Sequence, residues 1–384
     1  MSDAASVPVE GACDARFAAV REAFAGNFAE RGDVGAALSV HVGGRKVVDL
    51  WGGHADRDRT RPWTADTLVN VYSVGKAITA TCVLLLVQRG LLDLDQPVTR
   101  WWPEFGAAGK DGVNLRQLMS HRGGMPALRD RLAPDAMLDW DCITEALAAQ
   151  APWWTPGGSH GYHVNTFGYL LGEPARRAAG MTLGTLLRQD IAGPLGADIH
   201  IGLPKREHGR VADILFPLSP PAGAEPAPAP KLPTTDQQWM RLKAYRNPLG
   251  FSGGPYVNTE AWRLAEIPST NGHGTARGVA RLYLALLEGL IAPDILAEAT
   301  REHSDGHDLV LDRNSRFGLG YQLTQDERPL GPNPGAFGHF GAGGSLGFCD
   351  PEAGVAFGYV MNAMGTGWQS PRNRSLIDAV YASL

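Results

Sequence analysis

The two ends of the chain carry one kind of signal, and the long segment between them carries another. Near the N-terminus Phe17, Val20, Phe24 and Phe28 recur at steps of three and four, which predicts a helix over 14–30. Residues 36–42 and 46–51, apolar and joined by Gly43-Gly44, predict a β-hairpin. Towards the C-terminus, Gly347-Phe348 and residues 355–361 flank the turn Asp350-Pro351-Glu352-Ala353-Gly354. A closing helix from about Asn373 then places Leu376, Ile377, Val380 and Tyr381 on one face. From Ser73 to about Leu290 the strong signals are helical, at 77–89, 115–121, 141–149, 167–179, 183–191 and 275–287. The predicted class is α+β: an α/β domain with an antiparallel sheet from 1–72 plus 291–384, and a mostly helical domain, 73–290, inserted in it. Within the insert, 217–233 holds seven prolines in seventeen residues, the composition of an extended surface loop.

Composition narrows what such a chain does. With 35 Lys and Arg against 40 Asp and Glu, it has no basic footprint for nucleic acid or an anionic membrane. The longest apolar stretch, 77–87, is about half the roughly 20 residues that a spanning helix needs. The start, Met1-Ser2-Asp3-Ala4-Ala5, has neither the basic nor the apolar region of a secretory signal. Four scattered cysteines form no Cys-x-x-Cys pair and read as reduced thiols. A cytoplasmic protein without a membrane or nucleic-acid partner is expected. The eleven histidines include no metal-binding spacing, and the glycine-rich stretches lack a nucleotide motif, so neither metal nor cofactor is expected.

Three segments could carry chemistry. In Ser73-Val74-Gly75-Lys76, a strand-like run precedes the serine and a helix follows it. A lysine three positions on lies on the serine's helical face, and in a dry cleft it can be neutral enough to take the serine proton. Read alone, the pattern more often marks an N-cap serine beside a solvated lysine; its being the chain's one S-x-x-K, at the junction of the two domains, brings the two readings level. Tyr162, on a loop after Pro156-Gly157, could shuttle protons if a nearby cation lowered its pKa; an isolated tyrosine on a loop is more often packing. Gly338-His339-Phe340-Gly341-Ala342-Gly343-Gly344 lets a ligand approach backbone amides, and His339 could donate to a substrate carbonyl. Gly343-Gly344-Ser345-Leu346-Gly347 matches the G-x-S-x-G elbow of α/β-hydrolases, but a strand and a turn follow where that elbow needs a helix.

Together with Asp49-Leu50-Trp51-Gly52-Gly53, the run from Leu118 to Pro126, His160-Gly161-Tyr162-His163 and Asn271–Arg277, these pieces resemble a serine β-lactamase-related protein. The resemblance is to the class C β-lactamases and especially to the family VIII carboxylesterases, and it covers nearly the whole chain. It implies the β-lactamase/DD-peptidase-like fold, an antiparallel sheet flanked by helices with a helical domain beside it. Carried over by position, Ser73 is the acylated nucleophile, Lys76 its activating partner and Tyr162 the proton shuttle. The oxyanion hole is implied at the backbone amides of Ser73 and Ala342. His339-Phe340-Gly341 stands where true β-lactamases have Lys-Thr-Gly, and Val164 where they have the asparagine of Tyr-x-Asn. Trp153, Trp154 and Phe340 are candidate walls of an acyl pocket.

The resulting expectation is a carboxylesterase for short-chain, small-molecule esters working through an acyl-enzyme. Its rivals are a β-lactamase, a D-aminopeptidase or amidase, an acyltransferase, and a non-catalytic binding or scaffold homologue.

Overall fold

The computed structural model describes residues 7–217, 232–254, 256–365 and 367–384; most of the proline-rich segment 217–233 lies outside the described residues. Twelve strands occur among them, β1 (Val9–Cys13), β2 (Gly35–Val42), β3 (Arg45–Gly53), β4 (Val69–Asn70), β5 (Ile199–His200), β6 (His273–Gly274), β7 (Ser304–Asp308), β8 (Arg313–Phe317), β9 (Gln322–Leu323), β10 (Phe337–Phe340), β11 (Leu346–Asp350) and β12 (Val355–Met361). Nine of them build one sheet in the order β1-β3-β2-β12-β11-β10-β9-β8-β7. Every pair in it is antiparallel. Its central seam pairs β2 with β12, so Ala36 lies opposite Met361 and Val42 opposite Val355.

The hairpin β2–β3 turns through Gly43 and Gly44, both at positive φ, as a two-residue connection matching the strand twist requires. β11 and β12 are buried along their whole length, because helices cover both faces of the sheet. On one face, Phe17, Val20 and Phe24 meet Leu376, Ile377 and Val380 of the Pro371–Ala382 helix, together with Leu38, Leu50, Phe340, Leu346 and Phe357 from the strands. On the other, the Ala276–Leu287 helix packs across β12, β2 and β11, and the Val74–Gln88 helix packs on β10. That second core continues into the helical segment through Leu84, Leu118, Leu147, Phe167 and Leu170. The Val74–Gln88 helix is buried on nearly all sides, with Val74 to Leu86 inaccessible, which explains why Lys76, Thr79 and Thr81 are the few polar residues in an otherwise apolar run.

Several elements lie outside the pattern-based reading. β7 and β8, Ser-Asp-Gly-His-Asp and Arg-Asn-Ser-Arg-Phe, have no apolar alternation and exist because they pair with each other at the sheet's edge. The helix expected over 183–191 runs from Leu183 to Leu186 and then widens into a π turn, Leu187–Ala192. Among the described residues no helix is long and apolar enough to cross a membrane.

Candidate active site

Ser73 sits at the start of the Val74–Gln88 helix with φ −71° and ψ −5°, and its hydroxyl makes no capping bond. The N-cap alternative therefore fails for this serine. Its predecessor Tyr72 holds φ +49°, a conformation that a bulky L-residue adopts only under constraint and that tends to mark functional turns. The constraint is visible around it: the Tyr72 amide donates to Asn70 Oδ1 at 3.1 Å, and the Val71 amide to Gly272 O at 2.8 Å. Gly75 completes the turn. A Cβ there would stand 2.5 Å from the carbonyl oxygen of Pro268, so only glycine lets the helix approach that segment.

Lys76 is wholly buried. Its Nζ donates to Val164 O at 2.7 Å and to Ser269 O at 3.1 Å, and lies 3.3 Å from Ser73 Oγ. No carboxylate is among these partners, and burial pushes the amine well below the ordinary lysine value. The geometry suits the neutral form. A neutral amine has two N–H bonds and one lone pair; the carbonyls take the two hydrogens, and the lone pair is left for the serine hydroxyl. Lys110 makes the contrast, since its buried Nζ spends its three donors on the carbonyls of Ala107, Ala148 and Gln150.

The Tyr162 ring lies over Lys76, with Nζ 4.7 Å from the ring centroid. Burial raises the Tyr162 phenol well above its usual value, so it rests protonated. This corrects the expectation of a lowered pKa: burial outweighs the opposing pull of the Arg313 cation. Ser73 lies close enough to oppose the rise, although the two hydroxyls form no hydrogen bond in the resting arrangement. Asp308 fixes the tyrosine's backbone, accepting from Tyr162 N at 3.0 and 3.1 Å while also accepting from Val310 N, Leu311 N and Ser315 Oγ. Around the ring pack His121 at 5.0 Å, Trp368 at 4.9 Å and Phe317 at 5.8 Å between centroids. Trp153 and Trp154 join the same cluster.

His339 on β10 faces this group, 6.0 Å from the Tyr162 ring and wholly buried. Its Nδ1 lies 2.7 Å from Phe340 O. A carbonyl only accepts, so Nδ1 carries the proton and Nε2 is a bare lone pair, buried without a partner among the described residues. Burial and the adjacent lysine lower its pKa to about 3, which keeps the ring neutral. The expected donation from His339 to a substrate carbonyl is thus corrected: the ring offers an acceptor.

Phe340 is also corrected. Successive strand residues point to opposite faces, so with His339 towards Tyr162, Phe340 falls into the core beneath the terminal helices with Leu346 and Leu376. It is packing, not a pocket wall. Gly341 has no side chain to contribute, and a Cβ on it would stand 2.4 Å from Val71 O. The strand end that leads to Ala342 is therefore laid directly on the segment that leads to Ser73. Among the described residues the amides of Ser73 and Ala342 donate to no protein acceptor.

Asn165 does not stand in for the missing Tyr-x-Asn asparagine, because its amide is engaged by Ala244 O and Thr270 Oγ1. Ser345 is wholly buried between a turn and β11, with no helix after it. Sequence reasoning missed Ser269 and Asp308. Ser269 acts through its carbonyl, for which no residue type is a signal; Asp308 is one carboxylate among many in a polar strand. The surface cavities of about 840 and 910 Å³ run along the Asp236–Arg246 helix, lined by Leu242 and Arg246 and not by Ser73.

A serine and a buried lysine one helical turn apart, between an antiparallel sheet and a helical segment, define a serine hydrolase of the β-lactamase type. Comparison with known proteins agrees: the chain matches the Beta-lactamase family over residues 20–382 and belongs to that family. It is 38% identical to "Esterase/beta-lactamase LipL" of Mycobacterium tuberculosis over 93% of this chain and 83% of that protein. Among solved structures, a family VIII carboxylesterase superposes with a TM-score of 0.89 at 40% identity, covering 98% of this chain and 100% of the other. A penicillin-binding protein homologue from Caulobacter crescentus gives 0.88 at 42%, again over 98% and 100%.

Proposed function

We propose that this protein is a carboxylesterase that hydrolyses short-chain esters through an acyl-enzyme on Ser73. The observation that carries the reading is the Lys76 amine, buried without a counter-ion among the described residues, its hydrogens on two carbonyls and Ser73 Oγ 3.3 Å away. Lys76 Nζ takes the Ser73 proton as Oγ attacks the ester carbonyl carbon. The amides of Ser73 and Ala342 stabilise the oxyanion. As the intermediate collapses, the C–O bond to the alcohol breaks, Tyr162 protonates the departing oxygen, and the Lys76 ammonium restores the tyrosine proton. Water then repeats the sequence on the acyl-enzyme and releases the acid. A tyrosine held protonated at rest suits the role of acid towards the alcohol better than that of first base.

Esters are favoured over penicillins for a chemical reason. The lysine that would meet a penicillin carboxylate is replaced by His339, whose free nitrogen is a lone pair on an uncharged ring. A missing charge-assisted bond to an anion costs roughly 1.5–3 kcal/mol, about ten- to a hundredfold in binding. Two measurements test the proposal. A fluorophosphonate should label the peptide containing Ser73, and a label on Ser345 would overturn the assignment. The kcat/KM for p-nitrophenyl butyrate should exceed that for nitrocefin by at least about ten- to a hundredfold, and equal values would show that His339 does not set the preference.

A further inference from the structure

The turn that carries the Ala342 amide is held from behind by one side chain. Gly341 N donates to Ser345 O at 2.7 Å and closes the turn at its base, while Gly343 and Gly344, at φ +84° and +124°, form its bend. Gly344 O points back into the protein and accepts from Asn373 Nδ2 at 3.1 Å. The same nitrogen donates to Trp368 O at 3.0 Å. Asn373 Oδ1 faces the other way and accepts from Ser370 N at 2.9 Å, capping the start of the Pro371–Ala382 helix. The residue is completely buried.

One amide therefore ties the Ala342 turn, the segment carrying Trp368 and the start of the last helix to a single point. Trp368 packs edge-on against Tyr162, 4.9 Å between centroids, and the Arg313 guanidinium lies over the Trp368 ring, 4.7 Å from its centroid. Two groups assigned to opposite ends of the reacting ester bond, the Ala342 amide and Tyr162, thus share a brace. A helix cap needs only the oxygen of Asn373; nothing in capping calls for the two bonds made by its nitrogen.

We infer that Asn373 is a positioning residue, whose Nδ2 sets the Ala342 amide and the Trp368–Tyr162 contact in the geometry that the tetrahedral intermediate requires. The inference rests on the ester-hydrolase reading above. Its chemistry divides the two roles of the side chain cleanly. Asn373→Asp keeps an oxygen for Ser370 N and adds negative charge at a helix N-terminus, which favours the cap. It removes both donors and sets a carboxylate against two carbonyl oxygens.

The test is steady-state hydrolysis of p-nitrophenyl butyrate by Asn373→Asp and Asn373→Ser, each verified as folded by near-ultraviolet circular dichroism, beside inhibition by a trifluoromethyl ketone that mimics the oxyanion. Asn27→Ala is the control, because Asn27 braces the other side of the same helix through Arg372 O and touches nothing in the site. Displacement of a reacting group by about 1 Å costs on the order of a hundredfold. Asn373→Asp should lose ten- to a hundredfold in kcat with KM within threefold, and affinity for the ketone should fall in parallel. Asn27→Ala should lower the melting temperature and leave kcat alone. Should Asn373→Asp fail to fold, Asn373→Ser, shorter and uncharged, carries the same expectation. A folded variant with wild-type kcat, or a loss confined to KM, would overturn the inference. A wild-type protein that hydrolyses no ester would instead sink the functional reading beneath it.

Discussion

Gly341→Ala is the most direct probe of how the site is held together. The position has φ −101° and ψ 157°, which alanine adopts freely, so the substitution adds no backbone strain. It adds one carbon, 2.4 Å from Val71 O and 3.1 Å from Ser345 Cβ. The contact must open from 2.4 Å to at least 3.0 Å, and to 3.4 Å for ordinary contact, a separation of 0.6 to 1.0 Å. The two surfaces that part are the residue before Ala342 and the residue two before Ser73. The opening therefore falls between the two amides assigned to the oxyanion. A hydrogen bond of about 2.9 Å stretched by that amount is largely lost. Removing one oxyanion donor costs about a hundred- to a thousandfold in kcat. Overpacking of this size costs only about 1–3 kcal/mol of stability, so the variant should fold. The assay is kcat and KM for p-nitrophenyl butyrate, with Gly335→Ala as the control, since a Cβ there meets nothing within 4 Å. A folded Gly341→Ala enzyme with kcat within threefold of wild type would refute the idea that this backbone approach sets the oxyanion geometry.

Two further outcomes are expected. Because the Lys76 amine must be neutral to act as a base, and burial holds it well below the ordinary value of 10.5, kcat/KM should rise with pH and level off well short of 10.5. Lys76→Met should abolish that limb and lose about a hundred- to ten-thousandfold in kcat; a limb near pH 10.5 in the wild type would contradict the reading. Asp308→Ala strips acceptors from three backbone amides and the Ser315 hydroxyl, each worth about 1–3 kcal/mol when buried and unpaired. Urea titration should show a loss of at least about 3 kcal/mol, and a loss below 1 kcal/mol would mean that water replaces the carboxylate.

What the sequence made legible follows from what each feature depends on. The hairpin β2–β3 and the helices Phe167–Ala179 and Ala276–Leu287 are marked by local periodicity, because their apolar stripes match the faces they bury. β7 and β8 are not, since pairing at an edge places few demands on side chains. In the site, Ser73 and Lys76 stand out because their chemistry and their spacing on one helix coincide. The two carbonyls that accept from Lys76 come from Val164 and Ser269, 88 and 193 residues away, and a carbonyl leaves no trace in residue type. The exchange of faces between His339 and Phe340 was readable in principle. It is strand alternation, and His339 towards the cleft requires Phe340 away from it.

The seam between β2 and β12 also sets a schedule. As the chain leaves the ribosome, N-terminal end first, the hairpin β2–β3 emerges with one edge bare, and its partner strand is more than 300 residues behind. Ser73 and Lys76 follow soon after, but the segments that bury the lysine come only with Val164 and Ser269, and the Ala342 amide comes later still. Until then the lysine is a hydrated ammonium and the serine an ordinary alcohol. On the proposed reading the serine–lysine pair is thus born disarmed, and it gains its reactivity only when the last tenth of the chain has closed the sheet. The same delay leaves an unpaired strand edge exposed throughout synthesis, so the nascent protein trades safety from premature acylation for a long interval of vulnerability to aggregation.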